Sequence, residues 1–585
     1  MSQLQFTLDV RQGAQRRMGV SLEVDRTALG EGSENLHHKE FFLPTWTPGS
    51  YLIREYSRHL GPVEARDADS NALLTCTHVT KNRYRVALPE GLQKVRLSYT
   101  VYCHELSVRT SDLTASHAYW NHATVLLWPT DCTELAARVT VQLPKDWDFA
   151  CGLPSTRTAD EVSFAVANHD EAVDTPCLAG TFARLEFTVR NAPHTLALDG
   201  LGSVPPHKNL VDDVRRIIEA GADVFGGSLP YTDYIFLCLF ADRGGGGLEH
   251  QNSSTLLASR TAMTSNRSYK NFLGLVAHEH FHVWNVKRMR PQELWDYDYE
   301  RENYTSMLWL AEGFTAYYDD LLCLRAGVLT STEYLAIVAK NLTNLLSGAG
   351  RDKQSLSEAS FDAWIRLYRP DENTSNATQN YYGNGAVVAM VLDLTIRKHT
   401  GNARCLDDAI RSLYNQTFDQ GRGYQREDVE RALTEAAGTD MTSLLRSLVD
   451  EPLELDLDGL LGHFGIAIEQ SQLDRPYIGL SFEANRTTVS FVNERGPAYS
   501  AGIAPGDEIL AIDGLRTTSR RWSEIWESRA RVGEPLRVLV SSRGIVEERT
   551  VTPSAPIVGT VTLRKTDDVG REGLDRRRDW LSEGT

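Results

Sequence analysis

The stretch LVAHEHFHVWNVKRMRP, Leu275–Pro291, decides how the rest of the chain is interpreted, because it places three histidines close together. Successive side chains on an α-helix are turned by about 100°, so His278 and His282 share one face. His280 points to the opposite, apolar face together with Trp284. The spacing predicts that His278 and His282 hold a metal ion, whereas His280 is a core residue.

Glu279 completes an HExxH arrangement, in which the glutamate can reach a metal-activated water and act as a general base. HExxH also occurs by chance in unrelated helices, so a third ligand is needed as support. A catalytic zinc has three protein ligands and one open position. Glu312 lies in the apolar run WLAEGF, where an unpaired carboxylate would be costly to bury. We therefore expect a Zn²⁺ ion held by His278, His282 and Glu312.

A carboxylate on the same helix as Glu312 is a candidate to support this site. Asp319 follows one heptad later and returns to the same helix face, where it is expected to hydrogen-bond a ligand histidine. Asp320 is the alternative for this role.

Composition limits the classes of function. A chain of 585 residues is too long for one hydrophobic core, and a net charge of −17 argues against nucleic acid or an anionic membrane as the main partner.

No stretch is long and apolar enough for a transmembrane helix, and the first residues do not resemble a signal peptide. We expect a cytoplasmic protein, or a periplasmic one if a leader was removed. The eight cysteines contain no CxxC pair and are expected to be reduced.

The hydrophobic pattern changes along the chain and predicts a multidomain α+β protein. Residues 1–190 alternate apolar and polar side chains, as in NRYRVALP, and predict a β-sandwich-like domain. Helical patterns dominate residues 191–455, which contain the metal motif. Short strands return in residues 460–556, and residues 557–585 form a charged tail that we expect to be loosely held.

Several separated motifs resemble a known group of enzymes. HExxHxW followed by WLAEGFTAYY is similar to the gluzincin metallopeptidases, in which a second helix supplies a glutamate ligand to zinc. Together with LPTWTPGSYLIREYSRHL (Leu43–Leu60) and GGGLEHQNSS, these motifs resemble the glycyl aminopeptidase family. The resemblance implies a thermolysin-like, mostly α-helical catalytic domain. It also implies an aminopeptidase that prefers small N-terminal residues such as Gly or Ala.

The resemblance also implies a binding strand for the substrate. Large zinc aminopeptidases carry a GxMEN motif on an edge strand, and its glutamate binds the α-ammonium of the substrate. The matching residues here are Gly246, Gly247, Leu248 and Glu249, with His250 in place of the asparagine. A carboxylate held about one residue's length from the metal would bind the α-ammonium group so that the first peptide bond lies at the metal.

A tyrosine on a later helix donates a hydrogen bond to the tetrahedral oxyanion in the same aminopeptidases. The resemblance places Tyr382 at that position, with Tyr381 as the alternative. Asn384 stands where the family pattern has lysine.

The C-terminal region resembles a PDZ domain. YIGLSF (Tyr477–Phe482) and ERGPAYSAGIAPGDEILAIDG (Glu494–Gly514) carry this resemblance. It implies that Ile478, Gly479 and Leu480 form the carboxylate-binding loop for a C-terminal peptide, with the groove helix in SRRWSEIWESRARVG. Such a module can also serve only as a packing partner, so both roles stay open.

Two other functions compete with a zinc aminopeptidase that acts on peptides with a free N-terminus. One is a PDZ-guided zinc endopeptidase, and the other is a catalytically inactive peptide-binding scaffold. An amine-binding Glu249 would block extended peptides and argues against the first, whereas an intact Glu279 argues against the second. The sequence leaves open the role of the N-terminal β domain, whose Trp46 and Tyr51 could pack in its core or line the cleft.

Overall fold

The computed structural model describes residues 4–30, 37–471 and 474–583. Within these ranges the chain forms two compact units, Met1–Asn303 with Thr417–Gly423 and Tyr304–Gln416 with Tyr424–Thr585. No helix in the described ranges has the length and apolar character needed to span a lipid bilayer. The cysteines are all free thiols, and most of them are buried.

The first unit begins with a β-rich region whose strands alternate buried and exposed residues. In the described part of the chain its elements are β1 Leu4–Asp9, β2 Arg17–Asp25, β3 His38–Phe42, β4 Glu64–Asp67, β5 Leu73–Leu74, β6 Cys76–Thr80, β7 Arg83–Ala87, β8 Lys94–Tyr102, β9 Asp112–Leu113, β10 His117–Trp120, β11 Trp128–Pro129, β12 Ala137–Gln142, β13 Asp148–Cys151, β14 Ser155–Thr158, β15 Glu161–Val166, α1 His169–Val173 and β16 Cys177–Gly180.

These strands form one large sheet and two smaller ones around a shared hydrophobic core. The large sheet has the order β14-β15-β12-β1-β2-β8-β4-β5, and the smaller sheets are β13-β16-β10-β9 and β11-β3-β7-β6. Strand β8 illustrates how the core forms. Every second side chain of this strand is buried in the core, namely Val95, Leu97, Tyr99 and Val101. Period-two burial of this kind is what the sequence predicts for residues 1–190.

The first unit continues with a mixed sheet and with helix α3 (Asn266–Phe281), which carries the metal motif. Its elements are β17 Ala183–Val189, β18 Ala192–Asp199, α2 Leu210–Val224, β19 Tyr234–Ala241, β20 Gly246–Glu249, β21 Ser253–Ser259 and α3 Asn266–Phe281. The strand order is β17-β18-β19-β21-β20, so β20 lies at the edge of the described sheet. The sequence assigned residues 183–189 to the N-terminal domain, but β17 pairs with β18 of this sheet. The alternation of apolar and polar residues identifies a strand but not the sheet that the strand joins. The domain boundary expected from sequence therefore differs from the observed one.

The second unit is helical at first and then turns to short strands. Its described elements are α4 Leu308–Ala311, α5 Gly313–Arg325, α6 Ser331–Ser347, α7 Leu356–Phe361, α8 Thr374–Ala377, α9 Gly383–Thr400, α10 Leu406–Thr417, α11 Arg426–Ala437, α12 Thr442–Val449, α13 Leu457–Gly462, β22 Ile466–Ser471, β23 Leu480–Phe482, β24 Val489–Val492, α14 Pro497–Ser500, β25 Glu508–Ile512, β26 Leu515–Arg516, α15 Trp522–Arg529, β27 Leu536–Ser542, β28 Ile545–Val551, β29 Thr560–Lys565 and α16 Gly570–Trp580.

The strand-rich module of the second unit is tied to its helical part through one buried side chain. Asn376 on α8 donates to the carbonyl of Val492 at 2.8 Å and accepts from the backbone N–H of Glu494 at 3.1 Å. Lys353 forms an ion pair with the Glu494 carboxylate. The loop after β24 is therefore fixed to the segment that leads into α9.

The described residues from Thr560 to Trp580 form a strand and a helix, in contrast to the loosely held tail that their charge predicts. Strand β29 pairs antiparallel with β22, and α16 places Trp580 in the core. The Trp580 ring lies 6.0 Å from the rings of Tyr334 and Phe464. The sequence-based expectation is wrong here because a few large apolar residues anchor an otherwise charged helix.

Candidate metal centre

The edge strand β20 and the helix α3 approach each other closely in the first unit. A Cβ atom added to Gly247 would lie 2.2 Å from the carboxyl group of Glu279. Only glycine leaves room for that carboxyl group against the strand. Gly246, Leu248 and Glu249 share the strand, and Glu249 pairs with Ser254 of β21. The predicted amine-binding motif therefore lies beside the predicted general base.

The histidine at the end of α3 has a defined tautomer. His282 Nδ1 lies 2.7 Å from the carbonyl oxygen of Asn285. Because a carbonyl only accepts, Nδ1 carries the proton and Nε2 keeps its lone pair for a metal ion. The rings of His278 and His282 are 4.7 Å apart and nearly perpendicular. This is the shared face that the helical spacing predicts.

One group of side chains in the first unit has the chemistry of a metal site. One ligand atom from each of Glu249, Glu279 and His282 lies within 4.8 Å of the other two. Imidazole and carboxylate groups are donors that suit a zinc-like ion. The predicted base and the predicted amine-binding glutamate thus lie beside His282.

His280 lies away from this group, in a buried cluster of aromatic residues. Its Nε2 atom is 2.6 Å from the hydroxyl of Tyr231, which lies 3.0 Å from His194 Nε2. Burial, assisted by His194, holds the pKa of His280 well below its usual value. His280 is therefore a neutral residue that fixes α3 from its core side.

An ion pair that the sequence does not reveal supports the end of β20. Asp174 follows α1, and its carboxylate lies 2.6 Å from Lys287 Nζ and 3.2 Å from His250 Nδ1. It also accepts from the backbone N–H of Gln251 at 2.8 Å. Although burial opposes ionisation, Lys287 and His250 hold the pKa of Asp174 well below its usual value. No short-range pattern connects these distant residues, so sequence reasoning could not find the pair.

In the second unit, Glu312 is buried between α4 and α5, and Tyr382 precedes α9. The helices α5 and α9 touch at two glycines, since a Cβ on Gly313 would lie 2.6 Å from Gly385 Cα. Burial, followed by the negative charge of Glu312, raises the pKa of Tyr382 well above its usual value. The hydroxyl of Tyr382 also lies 3.0 Å from that of Tyr368, a partner that the sequence does not identify.

Tyr381, Asp319 and Asp320 are the other residues that the sequence predicts near the centre. Tyr381 is fully buried, and its ring stacks on that of Tyr382 at 5.0 Å. Asp319 and Asp320 are half-buried on α5. The role of Asp319 beside a ligand histidine stays a prediction.

The residues predicted for the carboxylate-binding loop lie next to a free strand edge. Gly479 has a φ of +80°, and its carbonyl accepts from Asn493 at 2.7 Å. The carbonyl of Ile478 accepts from Ala498 at 2.9 Å. Strand β23, which starts at Leu480, pairs only with β24 in the described part of the chain.

Three sequence models of known domains match the chain in order. The Peptidase M61 N-terminal domain matches residues 5–181, the M61 glycyl aminopeptidase matches residues 271–388, and a PDZ domain matches residues 454–541. The three matches follow the order of the N-terminal β region, the region with the metal motif and the C-terminal strand-rich module.

Solved structures and a curated protein are also similar to the chain. A structure described as an aminopeptidase N family protein from Idiomarina loihiensis is 28% identical, covers 99% of this chain and 100% of that chain, and has a TM-score of 0.91. The M1 zinc metallopeptidase from Deinococcus radiodurans is 16% identical over 77% of this chain and 94% of that chain, with a TM-score of 0.48. The zinc metalloprotease RasP from Geobacillus kaustophilus is 34% identical over 89 residues, so the match spans 15% of this chain and 21% of that protein.

The fold and the cluster of histidines and glutamates define the class of this protein as that of the metallopeptidases. Two domain models of a single family account for its N-terminal and catalytic regions. The chain belongs to the M61 glycyl aminopeptidase family.

Substitution of the three histidines is expected to separate metal binding from packing. After loading with Zn²⁺, His278→Ala should lose the bound metal because one imidazole ligand is removed. His280→Ala should retain it but lower the free energy of unfolding by about 2–4 kcal/mol, because a buried ring and its hydrogen bond are lost. Metal content by atomic absorption and denaturant unfolding measure the two effects. Loss of metal in His280→Ala would contradict this division of roles.

Proposed function

We propose that the chain is a zinc-dependent aminopeptidase that removes the N-terminal residue of peptides and prefers small residues such as Gly or Ala. One observation carries this proposal. The Glu249 side chain is only 4% exposed, and among the described residues its carboxylate has no hydrogen-bond or ion-pair partner. A buried carboxylate is costly unless a cation pairs with it. Lys287 is influenced by Glu249 but forms its ion pair with Asp174. The α-ammonium group of a peptide would supply that cation.

The donor set supports zinc as the metal. His278, His282 and Glu312 would hold the ion, which would polarise the scissile carbonyl and acidify the attacking water. His282 is oriented for this role by its hydrogen bond to the Asn285 carbonyl.

Glu279 is proposed to move the proton. Its carboxylate lies against Gly247 and within 4.8 Å of both Glu249 and His282. From that position it would accept a proton from the attacking water and deliver it to the departing amine. The nearby Glu249 would hold the substrate's ammonium group, so the first peptide bond is the one presented.

Tyr382 is proposed to donate a hydrogen bond to the oxyanion that develops on the scissile carbonyl. Because its pKa is raised, the phenol stays protonated at neutral pH and remains a donor. The preference for small residues is supported by the family description.

Glu279→Gln is expected to retain bound zinc and to lose nearly all turnover. The amide keeps the shape of the side chain but cannot accept the proton, and a general base contributes about 10²–10⁴-fold to the rate. Single-turnover kinetics on a glycyl anilide, together with metal analysis, would measure this. A metal-loaded variant with wild-type activity would exclude Glu279 as the base.

Blocked substrates test the proposed specificity. The protein loaded with Zn²⁺ should cleave Gly-anilide and Ala-anilide faster than Leu-anilide, and it should leave the N-acetylated forms intact. Glu249→Gln should raise KM for the free amines because the charge partner of the ammonium is lost. Cleavage of the acetylated forms would favour an endopeptidase, and no cleavage of either form would favour an inactive scaffold.

The PDZ domain is proposed to bind peptides with a free C-terminus. The unpaired edge of β23 faces no other described strand, and such an edge can accept an added peptide strand. On α15, Trp522 packs against Phe482 of β23 with ring centroids 4.6 Å apart, which gives the groove an aromatic floor.

Peptide binding at this groove should depend on the terminal carboxylate. A labelled pool of hexapeptides with free C-termini should bind more tightly than the amidated pool, as measured by fluorescence anisotropy, because backbone N–H groups hold the carboxylate. Trp522→Ala should weaken binding, whereas Tyr499→Ala, which alters an exposed side chain of α14, should not. Equal binding of both pools would contradict recognition of the carboxylate, and no binding of either pool would leave the domain as a packing module.

A further inference from the structure

Two cysteines of the N-terminal β region lie directly opposite each other on neighbouring strands. Cys151 is the last residue of β13 and Cys177 is the first residue of β16, and the antiparallel pairing of these strands places the two residues in register. Directly opposite residues of such a pair share one face of the sheet and have Cα atoms about 4.5–5.5 Å apart. Disulfides span about 4.4–6.8 Å between Cα atoms. The backbone therefore already has the separation that a disulfide needs.

The two thiol groups also contact each other, since a hydrogen bond joins the side chains of Cys151 and Cys177. The Cys151 Sγ atom lies 3.4 Å from the carbonyl oxygen of Leu153, and the Cys177 Sγ atom lies 3.8 Å from that of Thr175. These are weak hydrogen bonds of thiols to their own strands. A disulfide would replace them by movement of the two side chains alone, because the strands already have the required spacing.

The surroundings of the two thiols differ, and the difference sets the order in which they react. Cys151 is half-buried, whereas Cys177 is fully buried. Burial, followed by the hydrogen bond with Cys151, raises the pKa of Cys177 well above its usual value. A thiolate attacks an oxidant, whereas a thiol does not. Cys151 is therefore the first nucleophile, and Cys177 is the thiol that reacts with its oxidised form.

A histidine lies beside the buried thiol. His122 Nδ1 is 3.0 Å from the carbonyl oxygen of Ala172, so Nδ1 carries the proton and Nε2 keeps its lone pair. The Nε2 atom lies 3.9 Å from Cys177 Sγ. Burial lowers the pKa of His122 to about 4, so the ring is neutral and does not remove the thiol proton beforehand.

We propose that Cys151 and Cys177 are a redox pair that forms a cross-strand disulfide on reaction with hydrogen peroxide. The Cys151 thiolate attacks one peroxide oxygen, the O–O bond breaks, and the released hydroxide takes up a proton to become water. The sulfur of Cys177 then displaces hydroxide from the resulting sulfenic acid, and the Cys177 proton leaves with it as a second water. Two thiols are oxidised and the peroxide is reduced. A small dithiol reverses the reaction by thiol–disulfide exchange.

The disulfide would join two segments that both support the end of the edge strand β20. Gly152 packs on the turn between β20 and β21, since a Cβ atom added there would lie 3.2 Å from Ser253 Oγ. Asp174, three residues before Cys177, accepts from the backbone N–H of Gln251 in the same turn. The bond would therefore stabilise this part of the first unit and leave the proposed catalytic groups in place.

The first experiment counts thiols in the full-length protein. After treatment with hydrogen peroxide, the thiols that react with Ellman's reagent in denaturant should fall from eight to six per chain, and dithiothreitol should restore all eight. Mass spectrometry of a non-reduced digest should show the peptides with Cys151 and Cys177 joined. Eight remaining thiols, or the absence of this joined pair, would overturn the proposal.

Single variants test the order of the two steps. In Cys177→Ala the sulfenic acid on Cys151 has no thiol to react with, so dimedone should label Cys151 more strongly than in the wild type. Cys151→Ser should keep all of its remaining thiols after peroxide treatment. The matched control is Cys76→Ser, which removes another half-buried thiol and should still form the disulfide. Equal thiol loss in Cys151→Ser and Cys76→Ser would contradict the assignment.

Stability gives a readout that does not depend on the proposed peptidase activity. The bond closes a loop of about 25 residues in the unfolded chain, so oxidation should raise the calorimetric unfolding midpoint of the first unit by about 5 °C or more. Cys151→Ser should show no such shift. A lower midpoint in the oxidised wild type would show that the bond distorts the strand pair and would refute its place in the native fold.

Discussion

The close packing of α3 on the edge strand β20 is the constraint on which the centre depends. Gly247 allows the Glu279 carboxyl group to lie against the strand, which brings Glu249 within 4.8 Å of Glu279 and His282. Two buried carboxylates at this separation repel each other unless cations approach them. A metal ion on one side and an ammonium group on the other would satisfy both.

The N-terminal β region contributes residues that contact the centre directly. It contributes Gly49, which packs against the Glu249 carboxylate, and the carboxylate of Asp174, which binds Lys287 beyond the end of α3. Breaking a buried ion pair by removing one partner typically costs several kcal/mol. The region thus fixes both the strand and the helix of the centre, and its loss would disturb their spacing.

The parts of the site that could be predicted from sequence are those governed by local periodicity. The helical repeat is enough to separate His278 and His282 from His280, and the apolar surroundings of Glu312 predict that its carboxylate has a buried partner. The contacts of Gly49 with Glu249 and of Asp174 with Lys287 join residues far apart in the chain, so no local pattern encodes them. The strand Ala183–Val189 and the folded C-terminal helix show the same limit. The alternation of apolar residues and the local charge predict whether a segment is a strand or a tail. The other elements that the segment packs against are set by tertiary structure.

The short edge strand β20 has a consequence for the behaviour of the protein in a crowded solution. An open sheet edge is a template on which other chains can add strands and aggregate. Here the edge is only four residues long, Gly246–Glu249, and it ends in a buried charge. Arg109 also reaches the carbonyl of Gly247 at 3.4 Å. Three of its four residues are buried, so this edge offers too little accessible backbone for a second chain to add a strand.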